Sequence, residues 1–411
     1  MINKQKIIMI GDATKDSSLS ALEVFKQSGI DTFVLYPNET DHYGAMKRCG
    51  EVGLDVFVFG GSSVCESNKC FFPDAVGLFP NFISRYQKEK VDLNDYCEVS
   101  GLYMIDEPDE QFFELINEYY VPWFNKNYAD KKIWHVNMLP SYAPAFSKSE
   151  KGHLTAFKDY ITKYSNEVLS GVKGVKTLGV DHYALREKGG IKKLSDEWLY
   201  DLAVVGTQAK KSNAIYSVCI QAYCDIDQKK VDCTADIKFQ LYTAMAFGAS
   251  MFEFYAYTTV HGTLAMLNDN DKPTDIYYSV RDAIKEIRSF EKVYLQYDWM
   301  GVKYFSPQNY ICSAFDKSAE FQTDLVGINS VKATRGTIVS EFANEKGKKA
   351  YIIANYGMPA ISSSNIVEVT FENAKDITVY KNGRPDNYTL ENNKIILFLD
   401  VGEGVFITIN K

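Results

Sequence analysis

The sequence predicts an α/β protein, a (β/α)8 barrel (TIM barrel) followed by a small antiparallel β-sandwich. Eight near-continuous apolar runs alternate with amphipathic helical stretches over residues 1–297, the pattern of parallel strands covered on both faces. Beyond Trp299 the helical periodicity stops and short alternating runs take over up to residue 411, as in a sandwich. A doubly wound open sheet fits less well, because Gly11-Asp12-Ala13-Thr14 after the first run carries a single glycine and no dinucleotide fingerprint. The division expected is therefore a barrel over 1–297 and a sandwich over 298–411.

In chain order, the first strand is Lys6–Ile10, followed by a helix over Leu19–Ser28 that Gly29 closes. Thr32–Tyr36 and Leu54–Phe59 are the next strands, with a helix at Tyr43–Glu51 between them. A loop-rich stretch with one helix near Phe82–Glu89 leads to the fourth strand, Gly101–Asp106. That strand stops at Asp106-Glu107-Pro108, and apolar spacing over Asp109–Tyr120 predicts a helix for which proline is a suitable start. Strands at Lys132–Val136, Val175–Val180, Ala214–Ile220 and Ser250–Tyr255 complete the set. Helices at Leu154–Leu169, Asp196–Lys211, Thr234–Phe247 and Ile276–Val293 follow them in turn. In the C-terminal part six strands are expected: Gly336–Phe342, Lys349–Asn355, Ile366–Phe371, Asp376–Lys381, Lys394–Leu399 and Gly404–Ile409.

An apolar content of 46% over 411 residues supports a large core and two domains. The net charge of −8 and the absence of a basic block argue against nucleic acid as a partner. No stretch is long and apolar enough to span a membrane, and the apolar run near the N-terminus is too short for a signal peptide. As it stands the chain reads as cytosolic. Its eight cysteines are scattered without zinc-ligand spacing, so reduced, buried thiols are expected, with neither metal nor cofactor.

Polar residues at the strand ends are Asp12, Asn38, Ser62, Asp106 with Glu107, Asn137, Asp181 with His182 and Tyr183, Gln221, and Tyr257. In a barrel these ends form the catalytic face. Carboxylates, amides and tyrosines there suit a neutral polyhydroxylated ligand, an oligosaccharide or glycoside. Glycosidic cleavage needs a protonated carboxyl beside the leaving oxygen and a second group for the oxocarbenium-like centre. Glu107, with an apolar strand behind it and an acidic neighbour, fits the acid role, and Asp106 its partner. An acidic pair before a helix can equally serve as a cap and dipole partner. Glu253 shares the parity of Tyr255 and Tyr257, which points it into the barrel as a catalytic or a hydrogen-bonded structural acid. His182 reads as a sugar-binding residue or a histidine satisfied by Asp181.

A barrel carrying Asp106-Glu107-Pro108 at strand four, with a sandwich behind it, resembles the clan-A-type glycoside hydrolases, whose strand four ends in Asn-Glu-Pro. The resemblance implies that Glu107 is the acid/base and that His182 and Tyr183 line the sugar subsite. The run from Leu241 through Tyr257 resembles family 42 β-galactosidase-like barrels, with Tyr257 where a tryptophan usually stands. The clan's nucleophile is a glutamate at the end of strand seven, where this chain has Gln221. Three readings follow. Asp181 or Glu253 is the nucleophile; or the Asp-Glu pair acts as in enzymes similar to families 20 and 123, with Asp106 orienting a substrate acetamido group; or the barrel binds glycan without cleaving it.

Overall fold

The computed structural model describes residues 6–12, 14, 16–36, 41–60, 92–188, 191–224, 231, 233–260, 262–307, 317–357 and 364–410. Eight parallel strands close into a barrel: β1 (Ile8–Gly11), β2 (Thr32–Leu35), β3 (Asp55–Phe59), β4 (Val99–Asp106), β5 (Ile133–Met138), β6 (Thr177–Val180), β9 (Ile215–Gln221) and β10 (Met251–Tyr255). β10 returns to β1 with Ile10 opposite Glu253. Between β6 and β9 the chain inserts an antiparallel hairpin, β7 (Leu185–Lys188) and β8 (Ile191–Leu194), which the strand and helix pattern had not revealed. Gly189-Gly190 between the two runs is the sequence signal for it.

The described helices of the barrel are α1 (Leu19–Gln27), α2 (His42–Val52), α3 (Val121–Asn127), α4 (His153–Glu167), α5 (Trp198–Lys211), α6 (Thr234–Ala246) and α7 (Asp275–Tyr294). The Ser18 hydroxyl caps α1 and the Asp41 carboxylate caps α2, each accepting a first-turn amide N–H. Gly53, in the left-handed region, ends α2. The helix expected at Asp109–Tyr120 is longer and irregular, a run over 110–127 whose middle, Ile116–Tyr120, is π-helical. Pro122 is the cause: it offers no N–H to the preceding turn and its ring crowds that turn's carbonyl, so the ladder widens there. Asp109, not Pro108, caps this run. The helix expected near Phe82–Glu89 lies outside the described residues, as do Asn38 and Ser62.

After α7 the described residues form nine strands rather than the six expected. One sheet runs β11-β13-β14-β19-β16-β17, the other β12-β15-β18. The three unexpected strands are β11 (Asp298–Phe305), β12 (Ile328–Ala333) and β17 (Arg384–Thr389). β11, β12 and β17 each lie at a sheet edge, and β12 and β17 are largely exposed. An edge strand needs no apolar alternation and tolerates a proline such as Pro385. The remaining six are β13 (Thr337–Ala343), β14 (Lys349–Asn355), β15 (Asn365–Phe371), β16 (Asp376–Lys381), β18 (Lys394–Leu399) and β19 (Gly404–Ile409). Val339, Ile353, Val367, Val369, Leu397 and Ile407 form the core between the sheets.

The larger sheet packs on α6 and α7. Phe406 stacks on Phe290 at 5.7 Å, and Phe342 meets Tyr294 edge-on at 5.5 Å. Close by, Gly402 has φ +73°, and a Cβ there would sit 2.0 Å from the carbonyl oxygen of Ala235 in α6. Gly402→Ala combines left-handed strain (~1–2 kcal/mol) with overpacking against backbone (~1–3 kcal/mol). A lower urea midpoint with an unchanged m-value is the expected result.

Candidate active site

Ile8, Ile10, Val34, Phe57, Phe59, Ile215 and Met251 fill the barrel interior with apolar side chains and leave the polar ones for its C-terminal mouth. On the floor of the mouth His135 links β5 to two neighbours, Thr177 through Nδ1 (2.7 Å) and Glu253 through Nε2 (3.4 Å). Burial pushes His135 down to about 3. Burial, with the nearby charge of Asp181, pushes Glu253 up to about 8. Both groups are thereby driven to their neutral forms, so their contact is a neutral hydrogen bond rather than an ion pair.

A stability prediction follows. A carboxyl raised in the folded state binds more protons there than in the unfolded chain, so its contribution is full below about 4.5 and is lost as pH rises through about 8. Glu253→Gln removes that dependence. Its melting temperature should fall less than the wild type's between pH 5 and 9, which a thermal melt series reads directly.

Strand β4 carries the feature that shapes the site. Its pairing with β5 slips by one residue between Tyr103 and Ile105: Tyr103 lies opposite His135, and Asp106 opposite Asn137. The bulge reverses the inside-outside parity. Asp106, three residues beyond Tyr103, therefore joins it inside, where the Tyr103 hydroxyl donates to Asp106 Oδ1 at 2.9 Å. Burial pushes the Asp106 carboxyl well above its usual range and the neighbouring acids, Asp181 first, add to the rise, while the Tyr103 hydrogen bond works against it.

Glu107 follows with φ +49°. Every other non-glycine residue in the left-handed region among the described residues is an asparagine or aspartate, types that tolerate it; a glutamate does not, and its backbone is strained. The strain is held from both sides. The Glu107 amide donates to the carbonyl oxygen of Asn137 (2.7 Å), and the Tyr160 hydroxyl of α4 donates to the Pro108 carbonyl (2.6 Å).

Asp181 lies just after β6 among the buried groups of the mouth. Burial is the main reason that Tyr103, Asp106, Tyr142, Tyr183, Cys219, Tyr223, Glu253 and Tyr255 are raised, and the charge of Asp181 adds to each. The Tyr183 hydroxyl donates to its Oδ2 (3.2 Å). Tyr183, Tyr223 and Tyr255 pack edge-on or tilted with ring centroids 5.3–5.9 Å apart, an aromatic wall beside the acids. Asp12, at the end of β1, adds a fourth carboxyl whose charge reaches Asp106.

Asp12, Asp106, Asp181, Tyr183 and Glu253 thus come together, with Asn137 buried beside Asp106 in register. Three other expected site residues are used elsewhere. His182 is buried, with Nδ1 2.6 Å from Asp201 and Nε2 2.8 Å from Ser195, so its partner is Asp201 rather than Asp181. This has the bond order of a hydrolytic triad, but Ser195 is buried and its hydroxyl also reaches Glu197. The trio fastens the hairpin to α5. Gln221 is buried too, and its Oε1 accepts from the Leu185 amide (3.0 Å). Tyr257 packs on Phe25 of α1 at 4.7 Å, in the layer outside the barrel. The inward parity shared by Glu253 and Tyr255 ends with the strand.

Tyr103, His135, Cys219 and Tyr223 also gather at this end of the barrel, and the list of polar strand ends does not contain them. All four lie within or just after apolar-looking strands, and only the inward parity of β4, β5 and β9 could have pointed to them. Among the described residues no three His, Cys, Asp or Glu side chains group as a metal site requires. No described helix is long and apolar enough to cross a membrane.

No family model matches the sequence, and no curated protein matches it. Solved structures do. A family 42 β-galactosidase from G. stearothermophilus matches with a TM-score of 0.51 at 9% identity, over 99% of this chain and 98% of that one. A family 27 β-L-arabinopyranosidase from Geobacillus stearothermophilus matches with a TM-score of 0.52 at 8% identity, over 99% and 97%. At such identities the likeness is one of fold: the chain has the barrel-plus-sandwich architecture found in these glycoside hydrolases.

Proposed function

We propose that the protein is a glycoside hydrolase acting on a neutral or N-acetylated glycan. Glu107 is its general acid/base, Asp106 is that residue's partner, and Asp181 is the carboxylate that meets the anomeric centre. The carrying observation is the strained backbone of Glu107 beside the acid cluster centred on Asp181, at the catalytic end of a barrel. A glutamate held at φ +49° by two anchoring bonds is costly for stability.

In the reaction the glycosidic C–O bond breaks with its electron pair passing to the leaving oxygen, which takes the proton of Glu107. Asp181 stabilises the positive anomeric carbon or bonds to it. Glu107, now ionised, takes a proton from a water whose oxygen bonds to the anomeric carbon; where Asp181 had bonded there, that ester bond breaks and its electron pair returns to the carboxylate. The wall of Tyr183, Tyr223 and Tyr255 supplies flat faces for a sugar ring.

The test is hydrolysis of a panel of chromogenic hexosides and N-acetylhexosaminides by wild type, Glu107→Gln and Asp181→Asn. Cleavage by the wild type and its loss in both variants supports the reading. Equal oligosaccharide binding by all three, with no cleavage by any, makes the protein a glycan-binding barrel instead.

A further inference from the structure

We propose that a recess at the N-terminal end of the barrel is a second binding site, for a neutral polyhydroxylated molecule about the size of a single sugar. It lies at the opposite end from the mouth, so it stands whether or not the mouth cleaves glycosides.

A cavity of about 310 Å³ opens there between the starts of β9 and β10, the end of α5 and the first residues of β11. That is the low end of the range for small-molecule pockets, ~300–1,000 Å³. Its walls are preformed. A Cβ at Gly206 of α5 would sit 2.8 Å from the Phe247 carbonyl oxygen and 3.1 Å from the Tyr216 ring. Gly248 has φ +88°, and a Cβ there would meet the Trp299 side chain at 2.9 Å. Trp299, where the chain enters the sandwich, is fixed in turn, its Nε1 donating to Ser340 Oγ of β13 (3.0 Å). Walls that need no rearrangement spare a ligand the cost of ordering them.

The polar groups of the wall point to the ligand's class. Lys210 gives one N–H to the Trp299 carbonyl oxygen (2.7 Å) and lies 5.5 Å from the centre of the Trp299 ring. An ammonium has more N–H groups to give. Asp298 shares the wall, and its charge opposes the lowering of Lys210 by burial. Tyr216 is only 4% exposed, and its hydroxyl is buried without a hydrogen-bond partner among the described residues. Such an orphan is uncommon unless a water or a ligand completes the bond. Lys210 repels a cation, whereas Asp298 and the carbonyl end of α5 repel an anion. Sugar hydroxyls suit both charges, because each accepts from a lysine or phenol and donates to a carboxylate. Trp299 and Phe247 offer apolar surface to the C–H face of the ring.

Calorimetric titration of the full chain with D-galactose and D-glucose tests this, with D-glucuronate and D-glucosamine as charged controls. The titrations are run in the Asp181→Asn background, so that binding at the mouth is weakened and the recess is read. At least one neutral sugar should bind there with a Kd of about 1–10 mM, and the charged controls about tenfold more weakly or not at all. Adding Lys210→Met should weaken the neutral sugar about tenfold. Adding Tyr216→Phe removes a buried hydroxyl that has no protein partner. Its melting temperature should equal or exceed that of the background while sugar binding weakens several-fold. A hydroxyl serving only the fold would do the reverse, lowering the melting temperature and sparing the binding. The proposal is overturned if neither neutral sugar binds in this background or if Lys210→Met and Tyr216→Phe leave the binding unchanged. Charged controls that bind as tightly as the neutral sugars overturn it as well.

Discussion

Glu107→Gln should reduce kcat/KM by roughly 10²–10⁴ on glycosides with poor leaving groups, the range general acid catalysis supplies. The loss should be much smaller on dinitrophenyl glycosides, whose leaving oxygen departs without a proton. A residue that merely caps the following helix would show no such dependence on the leaving group. Glu107→Gly separates chemistry from stability. Glycine occupies φ +49° without the side-chain clash that glutamate suffers. This variant should be inactive yet more stable than wild type by ~1 kcal/mol, measured by urea unfolding. If Glu107→Gly is both inactive and less stable, the residue is structural and the acid must be sought elsewhere in the mouth.

Asp181→Asn should cost on the order of 10³-fold or more in kcat/KM if the carboxylate meets the anomeric centre. The same substitution has an electrostatic signature that a lost sugar contact would not produce. The charge of Asp181 helps to hold Glu253 up near 8 and Asp106 well above the usual carboxylate range. Its removal lets both fall towards ordinary values, so the folded state retains fewer excess protons. The decline of stability from pH 5 to pH 9 should therefore be shallower in Asp181→Asn than in wild type. Thermal melts across that range, run beside the kinetics, check both halves. A large rate loss with an unchanged stability slope would leave Asp181 in contact with substrate but remove it from the centre of the acid network.

The two variants act on different parts of one design. Glu107 depends on backbone geometry, fixed by the Asn137 carbonyl on one side and Tyr160 on the other. Asp181 depends on charge, expressed through the groups that crowd it. The hairpin β7–β8 follows Asp181 closely, tied down by Gln221 at Leu185 and by His182 at Ser195. These two expected sugar-binding residues hold the frame of the mouth.

The barrel and the sandwich were legible in the sequence because both depend on local periodicity. Apolar runs such as Leu54–Phe59 must be buried on both faces, and alternating runs such as Lys394–Leu399 must be buried on one. The acids at the strand ends were legible for the same reason, since a buried strand ends where polar residues begin. Edge strands escaped because exposed pairing leaves no apolar signature, as in β17. The roles of single residues depended on contacts between segments distant in the chain. A one-residue slip against β5 decided that Asp106 faces inward, Asp201 from α5 claimed His182, and Phe25 from α1 claimed Tyr257. Strand periodicity determines which layers exist, whereas register and long-range pairing decide which way each polar side chain turns, and only the tertiary structure contains those.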